Sequence, residues 1–478
     1  MPHPILTLLS QEEKERIHGQ SLEILQKVGV KFNSEKAIKI LEEAGCEVDK
    51  DNLSAKFQPH LIEKALESLP SKFLLAAINP DKDIMCGNGE LYFSSVGGPT
   101  MIRDPETGER RPSNTEDVIR CARLVEAMDE ISEWCPMLLP MELPPLLRAA
   151  KTCQISFLNT SKHMMGSPES REELPFFREM VEAAAGGIEN LKKRPLFSAI
   201  INPVSPLQNS GALVDNLMNM SDFAPPIFMQ FLPLSGATAP ITLAGTVLQA
   251  NAEFLGNMAL YQLASPGWPI IWASACGSLD MRTGVYVGGP EAMLMGLALI
   301  EMGKFYNVPI NTFASSSAET QVMTYRTGME SMFGLMNSAL SQVDNMWWPA
   351  DIDRFNTQDL AVTIMGCEAV RQVRRMHKGF SMDDEHLLQE TIVNMGFESE
   401  YMGDPSTKKF FRQEHQLPDI FPRITHDDWH AAGEPTEESI ALARLKEIQD
   451  NHEPVQVDPE FEKELDRIYT AAEKDLVK

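Results

Sequence analysis

Cysteine, positive charge and long hydrophobic runs are all scarce in this chain, and each scarcity excludes a class of protein. The seven cysteines are scattered without a CxxC pair, which argues against a disulfide framework and fits a reducing compartment. Lys and Arg number 42 against 68 Asp and Glu, and the resulting net charge of −26 would repel a nucleic acid. Because no apolar run reaches about 18 residues and no basic-then-apolar leader is present, we expect a cytoplasmic protein without a membrane span.

Several catalytic signatures are missing as well. The sequence contains no nucleophile elbow, no glycine run with the spacing of a phosphate loop, and no Cys/His cluster near a predicted strand end. His426 and His430 have a helix-compatible metal spacing, but they lie in a charged C-terminal segment without HExxH context. We therefore expect no nucleotide and no tightly bound metal.

Short apolar runs alternate eightfold with longer amphipathic stretches from residue 91 to residue 376. The runs are closed by glycine, proline, serine or asparagine, and several begin after a proline, as strands do. The predicted strands are 91–96, 131–139, 162–165, 196–201, 226–231, 269–273, 309–314 and 344–348. This pattern predicts a (β/α)8 TIM barrel of the α/β class, in which chemistry lies at the C-terminal ends of the strands.

The chain is longer than a minimal barrel, so flanking segments are expected. Residues 1–90 predict a helical α+β extension, residues 91–376 the barrel, and residues 377–478 a helical arm. Two nearly uncharged helices, predicted at 241–263 and 290–302, are apolar on every side. They are expected to be buried against another layer or a second copy, and the second alternative predicts a homo-oligomer.

Aromatic side chains near the predicted strand ends are candidates for a cation-binding cage. Trp347 and Trp348 end the eighth strand, and adjacent strand residues point to opposite faces, so one indole should face the barrel interior. An inward indole offers its π face to a quaternary ammonium, whereas the alternative is a tryptophan that only packs. Phe231, Phe355 and Tyr325 are further candidate walls of this cage.

Polar residues near the strand ends are candidates for holding the rest of a substrate. They are Gln230, His163, Arg326 and the serine run that contains Ser316. The backbone and hydroxyls of the serine run suit a carboxylate, but the same residues also fit a helix N-cap. A lone strand histidine equally fits a structural role.

The glycines that close the first predicted strand, Gly97 and Gly98, would let a ligand approach the backbone closely. Asp104 follows them and either orients a ligand or pairs with Arg103. The segment 97–104, with residues 107–112 and Asp117, resembles the N-terminal barrel signature of the trimethylamine methyltransferase family. Segment 314–330 resembles that family's motif after strand seven, although residues 317–319 read Ser-Ala-Glu where the family commonly has Asp and Lys.

The resemblance covers essentially the whole chain and implies an enzyme that moves a methyl group from a methylated amine to the cobalt of a separate corrinoid protein. The trimethylamine branch carries pyrrolysine, whereas this chain has only the twenty standard residues. It therefore resembles the branch that demethylates quaternary amines such as glycine betaine. We expect glycine betaine as substrate, dimethylglycine as product, and a corrinoid (cobalamin) carried by a partner protein. Gly97, Gly98 and Asp104 would face that corrinoid. Carnitine, proline betaine or γ-butyrobetaine as substrate, and a non-catalytic quaternary-amine-binding protein, stay open as alternatives.

Overall fold

The computed structural model describes residues 5–95, 97–312, 319–347, 351–397 and 400–477, with the side chain of Ser274 also outside the described part. The N-terminal region contains α1 (Gln11–Lys27), β1 (Val30–Lys31), α2 (Glu35–Glu43), β2 (Glu47–Asp49), β3 (Ser54–Lys56), α3 (Pro59–Glu67), β4 (Phe73–Leu75) and β5 (Ile84–Cys86). The barrel region contains β6 (Tyr92–Ser94), β7 (Met101–Arg103), β8 (Arg110–Pro112), α4 (Thr115–Ala127), β9 (Glu133–Trp134), α5 (Pro145–Asn159), β10 (His163–Gly166), α6 (Leu174–Ala185), α7 (Ile188–Lys193), β11 (Phe197–Ile201), α8 (Gly211–Met218), β12 (Ile227–Phe231), β13 (Leu234–Ser235), α9 (Leu243–Ala264), β14 (Ile270–Ser274), β15 (Gly277–Asp280), β16 (Val285–Val287), α10 (Gly289–Phe305), β17 (Ile310–Thr312), α11 (Tyr325–Leu340), β18 (Asn345–Trp347), β19 (Asp351–Ile352), β20 (Thr357–Gln358) and α12 (Leu360–Lys378). The C-terminal region contains α13 (Asp384–Leu387), α14 (Gln389–Met395), α15 (Pro405–Glu414), α16 (His426–Ala431), α17 (Glu437–Asn451) and α18 (Pro459–Leu476).

Eight parallel strands close into a barrel in the order β6, β9, β10, β11, β12, β14, β17 and β18, with β18 returning to β6. The predicted (β/α)8 barrel is therefore confirmed. The second predicted strand, 131–139, is the main difference, because only Glu133–Trp134 pairs with its neighbours. Prolines at positions 136 and 140 lack the N–H that a ladder requires, which limits the strand.

The N-terminal region covers two different parts of the barrel. Helices α1, α2 and α3 pack on α9, where a Cβ on Gly256 would lie 2.5 Å from Val30 Cγ2. The apolar surface of α9 is thus buried by another layer of the same chain, and the Met293–Leu297 side of α10 packs against Leu6. Much of the apolar surface of the two helices is therefore buried within one chain, and the homo-oligomer stays a prediction.

Hairpin β4–β5 closes the N-terminal end of the barrel. Its residues Leu75, Ile84 and Cys86 pack inside the barrel with Phe228 and other inward-facing strand residues. The hairpin is bonded to segments that precede barrel strands, since Ala76 N donates to Pro195 O at 3.0 Å. Entry to the barrel interior is therefore blocked at this end.

The C-terminal region wraps the outside of the barrel. Helix α17 packs on α12 and α4, while α18 packs on α5 and α6. Within the described ranges, no helix combines the length and the apolar character needed to cross a membrane.

Candidate functional site

A cavity of about 1050 Å³ opens at the C-terminal end of the barrel strands. Residues at or just after six different strands line it: Gly97, Cys135, Gly166, Asn202, Leu232 and Trp347. This is the end of a (β/α)8 barrel at which side chains from several strands converge on a ligand. Burial raises the pKa of the Cys135 thiol to about 12, so the lining cysteine is protonated at neutral pH.

Trp347 forms part of the cavity wall at the end of β18. Its indole is only 4% exposed and stacks on the Phe228 ring, with the ring centroids 6.0 Å apart and the planes 25° from parallel. Because both residues pack in the cluster inside the barrel, the Trp347 indole faces the barrel interior. Trp348, the other predicted cage residue of this strand, lies outside the described residues.

Three further aromatic residues line the same cavity: Phe177 of α6, Tyr286 and Phe355. Phe355 comes from the turn between β19 and β20, and Tyr286 comes from β16, in a hairpin that follows barrel strand β14. Gly277 lies against the Tyr286 ring so closely that a Cβ there would be 2.1 Å from Cε2. Burial raises the pKa of the Tyr286 hydroxyl, which keeps the phenol neutral. Sequence reasoning missed Tyr286 because it belongs to an added hairpin rather than to a barrel strand.

The cavity also contains two arginines that sequence reasoning did not single out. Arg148 donates from Nε to Leu143 O at 3.0 Å and from Nη2 to Met141 O at 3.1 Å. Arg354 differs, because its buried Nε has no hydrogen-bond partner within the described part of the chain. A strong signal for Arg354 was absent from the sequence, since its neighbours predict neither a strand end nor a helix start.

Two acidic residues lie on another side of the cavity, Glu169 and Glu173. The Glu173 carboxylate accepts from the backbone N–H groups of Glu169 at 3.1 Å and Ser170 at 3.0 Å. Burial raises the pKa of Glu173, whereas these hydrogen bonds lower it. Glu173 therefore fixes the turn before α6, and Gln230 on β12 adds an uncharged polar group to the lining.

Beneath the cavity, a cluster of fully buried polar side chains fills the middle of the barrel. The Ser94 hydroxyl lies 2.7 Å from Glu133 Oε2, and Asn345 Nδ2 donates to the same oxygen at 2.9 Å. Burial raises the pKa of Glu133 to about 7, although both hydrogen bonds lower it. The Glu133 side chain is thus mostly protonated below neutral pH.

His163 belongs to this buried cluster and not to the cavity lining, which corrects its assignment to the substrate site. Its Nδ1 donates to Ala76 O at 2.8 Å, so the neutral ring accepts at Nε2 from the Ser198 hydroxyl at 2.6 Å. Burial lowers the pKa of the imidazole to about 4. Both ring nitrogens are satisfied, which is the structural role that the sequence had left open.

Three other predicted contacts point away from the cavity. Phe231 packs on Phe254 of α9, because it is adjacent to Gln230 and adjacent strand residues face opposite sides. Tyr325 is 89% exposed at the start of α11. Arg326 is held on the surface by Glu319 at 2.8 Å and Glu330 at 2.6 Å. These placements correct the assignment of Phe231 and Tyr325 to the cage and of Arg326 to the substrate carboxylate.

The first predicted strand end is divided between the cavity and a surface turn. Gly97 and Gly98 line the cavity, and a Cβ on Gly97 would lie 2.7 Å from Pro136 O, so close backbone packing requires that glycine. Asp104 lies outside the cavity lining and accepts from Thr107 N, Glu106 N and the Arg111 guanidinium, which bring its pKa to about 2. Asp104 therefore stabilises a turn outside the cavity, and its predicted position facing a corrinoid stays a prediction.

The serine run with Ser316 lies outside the described residues, so its predicted role is not placed. Among the residues that are described, no group of three or more His, Cys, Asp or Glu side chains is arranged to hold a metal ion.

Comparison with known proteins agrees with this architecture. The family model for trimethylamine methyltransferase (MTTB) matches residues 1–476. The trimethylamine methyltransferase MttB of Desulfitobacterium hafniense (strain DSM 10664 / DCB-2) is 30% identical over 93% of this chain and 90% of that protein. The glycine betaine methyltransferase of Desulfitobacterium hafniense (strain Y51) is 27% identical over 97% of this chain and 96% of that protein.

A solved structure shares the fold. The monomethylamine methyltransferase (MtmB) of Methanosarcina barkeri superposes with a TM-score of 0.54 at 11% identity, covering 98% of this chain and 88% of that one. Identity this low speaks for the fold alone. The family model, in contrast, spans almost every residue. The chain belongs to the trimethylamine methyltransferase family.

Proposed function

We propose that the protein transfers a methyl group from a quaternary amine, in the simplest case glycine betaine, to the Co(I) of a partner corrinoid protein. The observation that carries this proposal is the aromatic wall of the cavity, in which the indole of Trp347 and the rings of Phe355 and Tyr286 line one space at the strand ends. Aromatic faces attract a quaternary ammonium through their quadrupoles, and the attraction grows when water is excluded.

The reaction suits a cavity built for positioning. The bond between nitrogen and one methyl carbon breaks, its electron pair stays on nitrogen, and a neutral tertiary amine leaves. Co(I) supplies the electron pair for the new bond to the methyl carbon, so no proton has to move. The cavity has to hold the methyl carbon in line with the acceptor and keep water away.

The aromatic wall must also bind the cation with only moderate affinity. The positive charge on nitrogen disappears as the methyl group leaves, so contacts that hold the cation too tightly would favour the bound substrate over the transition state. A few ring faces and no carboxylate bonded directly to the ammonium meet that requirement. In this proposal Glu173 is occupied by backbone N–H groups and does not pair with the cation.

A corrinoid partner fits the open end of the barrel. Exposed apolar side chains lie on the segments that follow barrel strands, in loops, in the β15–β16 hairpin and at the start of α5: Leu146, Val204, Leu232, Ile241, Met281 and Val285. Such a rim suits the apolar edge of a large planar cofactor presented by another protein. The opposite end is closed by hairpin β4–β5, so the acceptor would have to enter from the rim.

The test is methylation of Co(I) cobalamin, or of the cognate corrinoid protein, in the presence of a panel of quaternary and tertiary amines. The panel contains glycine betaine, carnitine, proline betaine, γ-butyrobetaine and trimethylamine. We expect the cobalt absorbance to change with a quaternary amine and not with trimethylamine. Tight betaine binding without any methyl transfer would replace this proposal by the non-catalytic binding protein.

A further inference from the structure

We propose that Arg354 binds a carboxylate of the substrate, so that the protein selects zwitterions in which a short chain joins a quaternary ammonium to a carboxylate. This inference rests on the proposed function, because it assigns the part of the substrate that the aromatic wall does not hold. Arg354 and Phe355 are adjacent in sequence and both line the cavity that contains Trp347. A cation-binding wall and a guanidinium therefore share one space.

The guanidinium of Arg354 has N–H donors that are not matched by hydrogen-bond acceptors among the described residues. Its Nε is buried and has no hydrogen-bond partner within the described residues. The nearest carboxylate in an ion pair is that of its neighbour Asp353, at 3.8 Å from Nη1, and Asp353 is also contacted by Arg110 at 3.4 Å. A buried donor left unpaired is costly, whereas a ligand carboxylate would satisfy it.

The other arginines near this end of the barrel are already engaged. Arg148 donates to two main-chain carbonyl oxygens, at 3.0 and 3.1 Å. Arg326, which the sequence had suggested for a carboxylate, is paired with two glutamates outside the cavity. Neither offers a free planar fork to a ligand, and Arg354 is the arginine whose surroundings leave that role open.

The backbone presents Arg354 in an unusual and fixed way. Asp353, Arg354 and Phe355 have φ values of 55°, 55° and 67°, in the left-handed region that favours glycine. The turn is held by the hydrogen bond from Asp353 N to Thr320 O at 2.7 Å and by the pairing of β19 with β20. Strain of this kind persists where the surroundings impose it, and it is concentrated at ligand sites.

The planar guanidinium of Arg354 determines which ligand group fits it. A guanidinium matches a carboxylate with two parallel charge-assisted hydrogen bonds, and a lysine offers only a point charge. Quaternary amines without a carboxylate, such as tetramethylammonium or choline, would fill the aromatic wall and leave Arg354 unpaired. The predicted order of affinity is therefore betaines first and carboxylate-free cations well behind.

The test compares Arg354→Gln and Arg354→Lys with Arg326→Gln, a matched control outside the cavity. Binding of glycine betaine and of tetramethylammonium is measured by calorimetry, and KM and kcat are measured in the cobalt assay. We expect Arg354→Gln to weaken glycine betaine binding and raise its KM about tenfold or more, with little change for tetramethylammonium. The affinity and KM of Arg354→Lys for glycine betaine should lie between those of Arg354→Gln and the unchanged protein. Those of Arg326→Gln should stay within about twofold of the unchanged protein.

The outcomes separate the two proposals. Equal affinity of the unchanged protein and Arg354→Gln for glycine betaine would overturn the role of Arg354 and leave methyl transfer intact. Selective betaine binding that depends on Arg354, without methyl transfer, would support this inference and overturn the proposed reaction. If the unchanged protein binds neither cation, the carboxylate site is overturned as well. Circular dichroism melting of each variant shows whether the fold is retained.

Discussion

The two ends of the barrel interior differ in whether a ligand could reach their polar side chains. Toward the N-terminal end, His163 and Ser94 hydrogen-bond to fixed groups of the chain, and hairpin β4–β5 excludes solvent. Toward the C-terminal end, the cavity is open and the buried Nε of Arg354 has no partner among the described residues. Glu133 Oε1 and the Asn311 amide also lack a hydrogen-bond partner among the described residues, but they lie outside the cavity lining. A buried group without a partner therefore indicates a ligand only where a cavity reaches it. Burial of polar residues alone therefore does not identify the site.

The largest effect in this comparison is expected at the aromatic wall. Trp347→Leu keeps an apolar side chain on Phe228 but removes the π face, so methyl transfer from glycine betaine should fall about tenfold or more, the scale of a desolvated cation–π contact. The measurement is kcat/KM in the cobalt assay. Trp347→Phe, which keeps a smaller π face, should lose less, and equal activity of Trp347→Leu and the unchanged protein would remove the indole from the site.

A smaller effect at the same end is expected from Gly277→Ala. The added Cβ would lie 2.1 Å from Tyr286 Cε2 and 2.9 Å from Leu234 Cδ2, so the ring has to move. We expect the free energy of unfolding to fall by about 1–3 kcal/mol, as for overpacked cores, and the KM for glycine betaine to rise. Gly296→Ala on α10 is the control, because its added Cβ would meet nothing within 4 Å and its φ is not left-handed, and it should leave the KM unchanged. A Gly277→Ala protein with normal stability and KM would contradict the fixed position of Tyr286.

At the closed end, Glu133→Gln should alter the pH dependence of stability. Because burial raises the native pKa of Glu133 to about 7 from 4.5, the native state binds more protons than the unfolded state in that interval, and stability is lost as the pH rises through it. Burial lowers the pKa of His163 to about 4 from 6.5, which has the opposite effect: this histidine makes the protein more stable as the pH rises.

Comparison of Glu133→Gln with the unchanged protein isolates the glutamate, since His163 is common to both. We expect the variant to gain, relative to the unchanged protein, of order 2 kcal/mol between pH 5 and pH 8. Urea unfolding at the two pH values measures this difference. If the free energies of unfolding of the variant and the unchanged protein differed by the same amount at pH 5 and at pH 8, the pKa of Glu133 would not be raised.

The smallest effect is expected outside both ends, at Tyr325. Its side chain is 89% exposed on α11 and does not line the barrel cavity. Tyr325→Ala should leave KM and kcat for glycine betaine within about twofold, as surface substitutions rarely exceed a few tenths of a kcal/mol. A large rise in KM would restore Tyr325 to the cage that the sequence suggested.

The barrel was predictable because its strands obey local rules. Proline often precedes a strand, a small residue closes it, and apolar residues fill it, so even the buried β12 and β14 stand out in the sequence. The alternation rule also explains why Gln230 lines the cavity and its neighbour Phe231 packs on α9. Applied to every strand, that rule would have removed Phe231 from the predicted cage.

The rest of the site depends on features that sequence patterns do not encode. Arg354 reaches the cavity through three consecutive left-handed residues, none of them glycine. Tyr286 comes from a hairpin inserted after β14, and its position depends on tertiary packing against Gly277. Arg326 could have been discounted earlier, because Glu330 lies four residues away on the same helix face.

The most direct test of the account is a single turnover with glycine betaine labelled in its N-methyl groups, mixed with excess protein and reduced corrinoid. The account predicts that one labelled methyl group appears on cobalt for each dimethylglycine released, and that Trp347→Leu slows both together by about tenfold or more. Dimethylglycine without label on cobalt, or no turnover at all in the unchanged protein, would contradict methyl transfer at the open end of this barrel.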